Sequence, residues 1–234
     1  MNSEPGTGSR RYLKSREKPW AQSLAGWVCK TGITPNAISV LSIVFSVMAA
    51  VCMMKASEYP CKSCATWIWA GAAVFIQLRL LCNLLDGMVA IEGGKKSAVG
   101  GLYNEVPDRI ADPLLLMAAG YCNDWVVKLW DIPVGWVAAV LAVGTAYIRV
   151  LGGTLTGTQS FIGPMAKQHR MAVLTFACLG SIAELWLRND GKCAQEVMRY
   201  ALALIVVGSV VTCWRRLCLI GKQLREQANA SKPV

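Results

Sequence analysis

Residues 83–112 read NLLDGMVAIEGGKKSAVGGLYNEVPDRIAD and form a polar segment between two apolar runs. The segment carries three Asp, two Glu, two Asn, two Lys and one Arg. Ionisable side chains are costly inside a bilayer, and where they occur they usually serve a function. This segment therefore decides both how the surrounding helices are arranged and what chemistry to expect between them.

The rest of the chain has the composition of a membrane protein. Hydrophobic residues make up 54% of the 234 positions and charged residues 16%, whereas a soluble domain has about 25% charged residues. Six apolar runs approach the roughly 20 residues that a membrane-spanning helix needs. They lie at 36–54, 67–85, 108–122, 130–151, 171–187 and 200–219. We expect an all-α polytopic fold with about six transmembrane helices, in which the polar start of the third lies inside the bundle.

The residues before the first run, WAQSLAGWVCK at 20–30, have the pattern of a short amphipathic helix on the membrane surface. The predicted organisation is a cytoplasmic N-terminal segment at 1–33 that contains this helix. A six-helix transmembrane domain follows at 34–220, and a cytoplasmic tail occupies 221–234.

Basic residues predict the orientation. If there are six spans, fifteen Lys and Arg lie on the side of the termini and six on the other side. The positive-inside rule then places both termini in the cytoplasm. The net charge of +10 thus reflects topology and anionic lipid rather than nucleic acid, since the basic residues are divided among several loops. Compact size and orientation favour a bacterial inner membrane.

Three arginines, Arg79, Arg109 and Arg149, lie within or at the ends of predicted spans. A cation at that depth usually faces the bundle interior and has an acidic partner. The alternative is that the long side chain reaches the interface, and for Arg149 the two interpretations are equally good.

The ten cysteines are mostly apolar filler. Cys61 and Cys64 form a CxxC pair in the outer loop of the first hairpin, where an oxidising compartment would permit a disulfide.

The polar segment has the spacing of a metal site. Asn83 and Asp86 are three residues apart on one helix face, and Asn104, Asp108 and Asp112 are stacked four apart on the next helix. The short connection predicts antiparallel neighbouring helices. Oxygen ligands gathered in this way suit Mg²⁺, Mn²⁺ or Ca²⁺. Such an ion near basic side chains suggests a phosphorylated substrate.

Small residues on the same faces allow two interpretations. Gly87, Ala90 and Gly100 let a bulky ligand approach the helix backbones. They are equally suited to helix packing in a membrane. Glu105 and Arg109, four residues apart, fit an ordinary helical ion pair.

The stretch from Asp86 to Asp108 reads DGxxA, then nine residues, then GxxxNxxxD. This spacing resembles the signature of the CDP-alcohol phosphatidyltransferases. That family's pattern is D-x2-D-G-x2-A-R-x8-G-x3-D-x3-D, and the spacing fits without a gap. GITPNAIS at 32–39 also resembles the family's entry into its first span. A signature of this length is far more specific than a lone glycine motif.

Three positions depart from the family pattern. Asn83 and Asn104 stand where the family has its first and third Asp, and Ile91 replaces the Arg. Amide oxygens can bind a metal but bring no charge. Glu105 and Asp112 are the nearby acids that we expect to compensate as metal ligands.

The resemblance implies a divalent-metal-dependent enzyme that transfers a phosphatidyl group from CDP-diacylglycerol to an alcohol and releases CMP. It implies that Mg²⁺ or Mn²⁺ binds to Asp86, Asp108, Asn83 and Asn104. It also implies that Asp108 is the general base. Room for the nucleotide would come from Gly87, Ala90 and Gly100, with a contact from Asn36. Lys167 and Arg170 are similar to the family's basic groups that bind pyrophosphate or a phosphorylated acceptor, although they also fit a solvated loop. Homodimers are common in this family.

Two alternatives remain. One is a homologue that binds CDP-lipid without turnover, because two acids are missing. The other is a divalent-cation carrier, which should place acids along a path near the bilayer midplane. The acceptor stays open among glycerol 3-phosphate, inositol phosphate, serine, another lipid and other alcohols.

Overall fold

The computed structural model describes residues 18–58, 61–92, 99–122, 126–127, 132–187 and 196–230. These contain the helices α1 (Pro19–Lys30), α2 (Pro35–Glu58), α3 (Lys62–Glu92), α4 (Gly100–Tyr121), α5 (Val134–Thr156), α6 (Lys167–Leu187) and α7 (Glu196–Ala230). Two short antiparallel strands, β1 (Val126–Val127) and β2 (Ile132–Pro133), precede α5. The architecture confirms the all-α prediction. Ten of the basic residues counted for the orientation lie outside the described ranges: Arg10, Arg11, Lys14, Arg16, Lys95, Lys96, Lys128, Arg188, Lys192 and Lys232.

Five described helices, α2, α3, α5, α6 and α7, are long and apolar enough to cross a membrane. The remaining predicted span, the third in the chain, corresponds to α4, which has 22 residues but is more polar than the other five. Its polar first half begins at Gly100 rather than at residue 108 and faces a cavity inside the bundle. The polar start of the third span therefore lies inside the bundle, as expected from the sequence.

Two other boundaries differ from the prediction. The fourth predicted span corresponds to α5, which begins at Val134 rather than at residue 130, because residues 132–133 pair with β1. The last helix continues to Ala230, so the domain boundary predicted at residue 220 falls within α7.

The junction of α1 and α2 follows from local sequence. Gly32 adopts a φ of 80°, in the left-handed region that favours glycine, directly after α1. The hydroxyl of Thr34 then accepts a hydrogen bond from the Ala37 amide at 3.2 Å, and Pro35 occupies the first helical position. The helix predicted at 20–30 is observed as α1, which packs against α3 and leaves Trp20 and Trp27 exposed. Its position on the membrane surface stays a prediction.

Helix packing corrects the prediction that α3 and α4 are close neighbours. Instead α2 packs against both of them, α3 packs against α6, and α4 packs against α5. The α4–α5 crossing is tight, since a Cβ on Gly120 would lie 2.6 Å from the backbone of Gly135. The space left between α3 and α4 is the cavity described below.

Candidate active site

One cavity of about 1470 Å³ lies between α3 and α4 and is also bordered by α2, α5, α6 and the connection between α5 and α6. This volume exceeds that of a typical single-ligand pocket of about 300–1000 Å³. The twelve residues predicted to bind metal or substrate all line it: Asn36, Asn83, Asp86, Gly87, Ala90, Gly100, Asn104, Glu105, Asp108, Asp112, Lys167 and Arg170. The two ends of the polar segment, on α3 and α4, thus face the cavity from two sides.

Asp86 is the most enclosed acid on the α3 side and is 4% exposed. One of its oxygens, Oδ2, accepts a hydrogen bond of 2.7 Å from the hydroxyl of Ser39 on α2. Asn83, one turn before Asp86, has a buried amide nitrogen with no hydrogen-bond partner among the described residues. The amide of Asn83 is therefore not committed to the bundle and remains available to a ligand.

Asp108 faces Asp86 from α4 and is held by two cations. Lys167, the first residue of α6, forms an ion pair with Oδ1 of Asp108. Arg79 on α3 donates to the same oxygen at 3.2 Å. Asp86 lies within electrostatic range of both Asp108 and Lys167. Because the two cations share Oδ1, the second oxygen, Oδ2, is directed to neither of them.

Asp112 is the centre of a buried ionic network. Its Oδ1 pairs with Arg79, and its Oδ2 accepts a hydrogen bond of 3.0 Å from Arg170 on α6. Arg170 also donates to the hydroxyl of Thr145 at 3.1 Å and to the carbonyl of Met165 at 3.0 Å. Both oxygens of Asp112 are thus engaged by guanidinium groups, and Arg170 is buried within the network rather than exposed in a loop.

Glu105 joins α4 to α5 at the edge of the cavity. Arg149 donates to its two carboxylate oxygens at 2.7 and 2.9 Å, and Arg109 pairs with it along α4. The guanidinium of Arg149 lies over the ring of Phe161, 5.4 Å from its centre. Arg79, Arg109 and Arg149 therefore each have an acidic partner, as predicted.

The connection between α5 and α6 is fixed to α7 by buried polar contacts. Arg216 donates to the carbonyls of Ile162 and Thr145, and the hydroxyl of Thr212 accepts the Met165 amide at 3.0 Å. These contacts hold the wall from which Lys167 enters the cavity. The sequence does not indicate this role, because Arg216 lies in a cluster of basic residues that is typical of the cytoplasmic side.

Glu184 on α6 accepts hydrogen bonds of 3.1 Å from the backbone amides of Glu196 and Val197 and so caps α7. Cys61 and Cys64, the CxxC pair, are free thiols.

Among the described residues, no group of three or more His, Cys, Asp or Glu is placed to hold a metal. Two of the four ligand positions are instead occupied by amides, Asn83 and Asn104. The donors that face each other are carboxylate and amide oxygens, which are suited to hard divalent cations. The residues present therefore fit Mg²⁺ or Mn²⁺, with two charged ligands instead of four.

The sequence profile of the CDP-alcohol phosphatidyltransferase family matches residues 32–214. The inner membrane protein YnbA of Escherichia coli is 24% identical over 165 residues, covering 67% of this chain and 74% of YnbA. The phosphatidylinositol phosphate synthase of Mycobacterium tuberculosis is 23% identical over 204 residues, covering 83% and 82%. Crystal structures of that synthase share the fold. The manganese and citrate complex has a TM-score of 0.66 at 18% identity, covering 86% of this chain and 88% of that one. The CDP-DAG complex has a TM-score of 0.64 at 19% identity, covering 86% and 92%.

Proposed function

The chain belongs to the CDP-alcohol phosphatidyltransferase family, and we propose that it transfers a phosphatidyl group from CDP-diacylglycerol to an alcohol, which makes it an enzyme of phospholipid synthesis. The acceptor oxygen bonds to the lipid-linked phosphorus, the bond from that phosphorus to the CMP oxygen breaks, and the acceptor proton leaves. The observation that carries this proposal is the set of oxygen donors on α3 and α4 that face one cavity.

A divalent cation, Mg²⁺ or Mn²⁺, would be held by Asp86 and Asp108, with the amide oxygens of Asn83 and Asn104. When bound, it neutralises charge on the pyrophosphate and on the departing CMP. Glu105 and Asp112, expected from the sequence to compensate for the missing acids, are engaged by arginines. We assign them to holding those arginines in place.

Asp108 is the proposed general base. Its Oδ1 is fixed by Lys167 and Arg79, which orients Oδ2 towards the cavity for the acceptor's proton. Lys167 is close enough to Asp108 to contact the phosphates of a donor bound there. Arg170 holds Asp112 in place and would not contact the donor itself.

The donor would lie along α3. Gly87, Ala90 and Gly100 border the cavity without bulky side chains and leave room for the cytidine, next to Asn36. Towards the other end of α3, the lining becomes apolar and includes Val74, which is also exposed on the outer surface. This side gives the two acyl chains a route into the bilayer while the headgroup stays in the cavity.

A phosphorylated alcohol is the acceptor class that the charges favour. Arg149 and Arg109 share the single carboxylate of Glu105, so this cluster carries one excess positive charge. The Nε of Arg149 is buried and has no hydrogen-bond partner among the described residues. A phosphate would satisfy both the charge and the donor.

The protein is integral to the membrane. We further propose a bacterial inner membrane with both termini and the cavity on the cytoplasmic side. The charge distribution of the sequence supports this orientation, and the relative YnbA is an inner membrane protein. A symmetric homodimer is the proposed assembly.

The second candidate is a homologue that binds CDP-lipid without turnover. The observation in its favour is the pair Asn83 and Asn104 at two acid positions. Purified protein supplied with CDP-diacylglycerol, Mn²⁺ and a panel of alcohols distinguishes the two. We expect CMP release with at least one acceptor, and release from none of them despite donor binding would establish the inactive homologue.

The same assay tests Asp108. Asp108→Ala should abolish CMP release, whereas Glu226→Ala, which removes an exposed acid on α7, should retain it. Full activity of Asp108→Ala would overturn its assignment as base.

A further inference from the structure

We infer that this chain binds its divalent cation tightly only together with the donor, because Asn83 and Asn104 leave the site without the charge needed to bind the ion alone. The inference rests on the proposed function, since it takes the same four residues as the metal site. It adds an order to binding: the pyrophosphate of the donor completes a site that the protein alone provides only in part.

The charges around the proposed site balance without a ligand. Its two carboxylates, Asp86 and Asp108, carry two negative charges. Asp108 is contacted by two cations, Lys167 and Arg79. The charge of Lys167 also acts on Asp86. A free divalent cation therefore meets carboxylates whose charge is already offset, in a partly enclosed site where repulsion by nearby cations is weakly screened.

The nearby acids do not restore the missing charge. Asp112 uses both of its oxygens for Arg79 and Arg170. Glu105 is shared between Arg109 and Arg149. Neither carboxylate can turn towards a metal without leaving an arginine in a buried or half-buried position uncompensated.

The two amides still supply ligand oxygens. Asn83 has a buried amide nitrogen without a partner among the described residues, and Asn104 lies at the cavity edge. An amide that replaces a carboxylate preserves a coordination position and removes one charge. The site thus keeps its number of protein ligands but loses two negative charges compared with four acids.

The donor restores that charge. Its pyrophosphate brings two negative charges and additional oxygen ligands, so the cation gains both when it bridges donor and protein. Because coupling between two ligands is reciprocal, the donor tightens metal binding by the factor by which metal tightens donor binding. We expect that factor to be at least tenfold.

Mn²⁺ titrations of the detergent-purified full chain test this inference. Free Mn²⁺ is measured from its electron paramagnetic resonance signal, with and without CDP-diacylglycerol in the micelles. The same micelles without protein correct for Mn²⁺ bound by the donor itself. We expect the dissociation constant of the protein to fall at least tenfold when donor is added.

Restoring the acids tests the cause. The double variant Asn83→Asp and Asn104→Asp should bind Mn²⁺ at least tenfold more tightly without donor and show weaker coupling. Asn229→Asp, the same change at an exposed position of α7, is the matched control and should bind like the unaltered chain. If the double variant does not fold, Asn104→Asp alone is measured, since that side chain is exposed and tolerates the change.

The outcomes separate the inference from the proposed function. Equal and tight Mn²⁺ binding with and without donor would overturn donor dependence and leave the metal site intact. Restored acids that leave the donor-free affinity unchanged would also overturn the inference. Absence of Mn²⁺ binding under every condition would overturn the metal site itself, and with it both proposals.

Discussion

Arg79 and Asp112 form an ion pair in the interior of the helix bundle, where Arg79 is 0% exposed. The pair joins α3 to α4 across the inner end of the cavity, and Arg170 adds a link from Asp112 to α6. Three helices, α3, α4 and α6, are therefore connected through one carboxylate. A charge buried this deeply is stable only while its partner is present.

Asp112→Ala should therefore destabilise the protein strongly. The variant leaves Arg79 and Arg170 without their shared partner, and breaking a buried pair costs about 3–5 kcal/mol. We expect a large fall in the thermal unfolding temperature in detergent. Glu58→Ala, which breaks an exposed pair with Lys55, should leave that temperature almost unchanged because such pairs contribute little. A stable Asp112→Ala protein that has lost Mn²⁺ binding would instead identify Asp112 as a metal ligand.

Ser39→Ala should weaken the response to metal. The hydroxyl of Ser39 orients Asp86 through a hydrogen bond of 2.7 Å, and a bond to a charged group contributes about 1.5–3 kcal/mol. We expect the Mn²⁺ concentration that gives half-maximal CMP release to rise about tenfold or more. Ser46→Ala is the control, because that buried α2 hydroxyl bonds to the Ser42 carbonyl of its own helix. Equal responses of the two variants would contradict a role for Ser39 in orienting Asp86.

The sequence was sufficient for the parts of the site that depend on local spacing. Helical periodicity places Asn83 one turn from Asp86, and Asn104 one turn from Asp108, whatever the packing. High hydropathy identified the helices, and the cost of intramembrane charge predicted acidic partners for Arg79, Arg109 and Arg149. These inferences require only the periodicity of an α-helix and the energetic cost of placing a charge in a bilayer.

The roles of Asp112 and Arg170 depend on packing and could not be predicted in this way. The two residues are 58 positions apart, and nothing in their local patterns indicates that α6 approaches α4. For the same reason the short connection between α3 and α4 predicts that these helices pack directly against each other, whereas α2 packs against both of them. A metal ligand and a buried counterion look alike in sequence, since both are acids on an inward helix face.

The close crossing of α4 and α5 makes a second stability prediction. A Cβ on Gly135 would lie 2.3 Å from the Leu116 carbonyl oxygen and 2.7 Å from Gly120 Cα. Gly135→Ala should force the helices apart and cost about 1–3 kcal/mol, measured by thermal unfolding. Gly144→Ala on the same helix has nothing within 4 Å and should be neutral or slightly stabilising, because Ala favours helix. Equal unfolding temperatures for both variants would contradict this crossing.

Arg149→Ala should impair use of the acceptor while leaving use of the donor intact. Arg149 lies over Phe161 and contacts Glu105 at the cavity edge, on the α5 side rather than along the proposed donor path on α3. Loss of a charge-assisted contact to a phosphate is expected to cost about 1.5–3 kcal/mol, which corresponds to a rise in acceptor KM of roughly 10- to 150-fold. The measurement is CMP release at saturating CDP-diacylglycerol, as a function of the acceptor that supports turnover. Arg199→Ala, which removes an arginine paired with Glu196 at the start of α7, should leave both KM values unchanged. An unchanged acceptor KM in Arg149→Ala would show that the acceptor binds elsewhere in the cavity, and a raised donor KM would place the pyrophosphate on the α5 side.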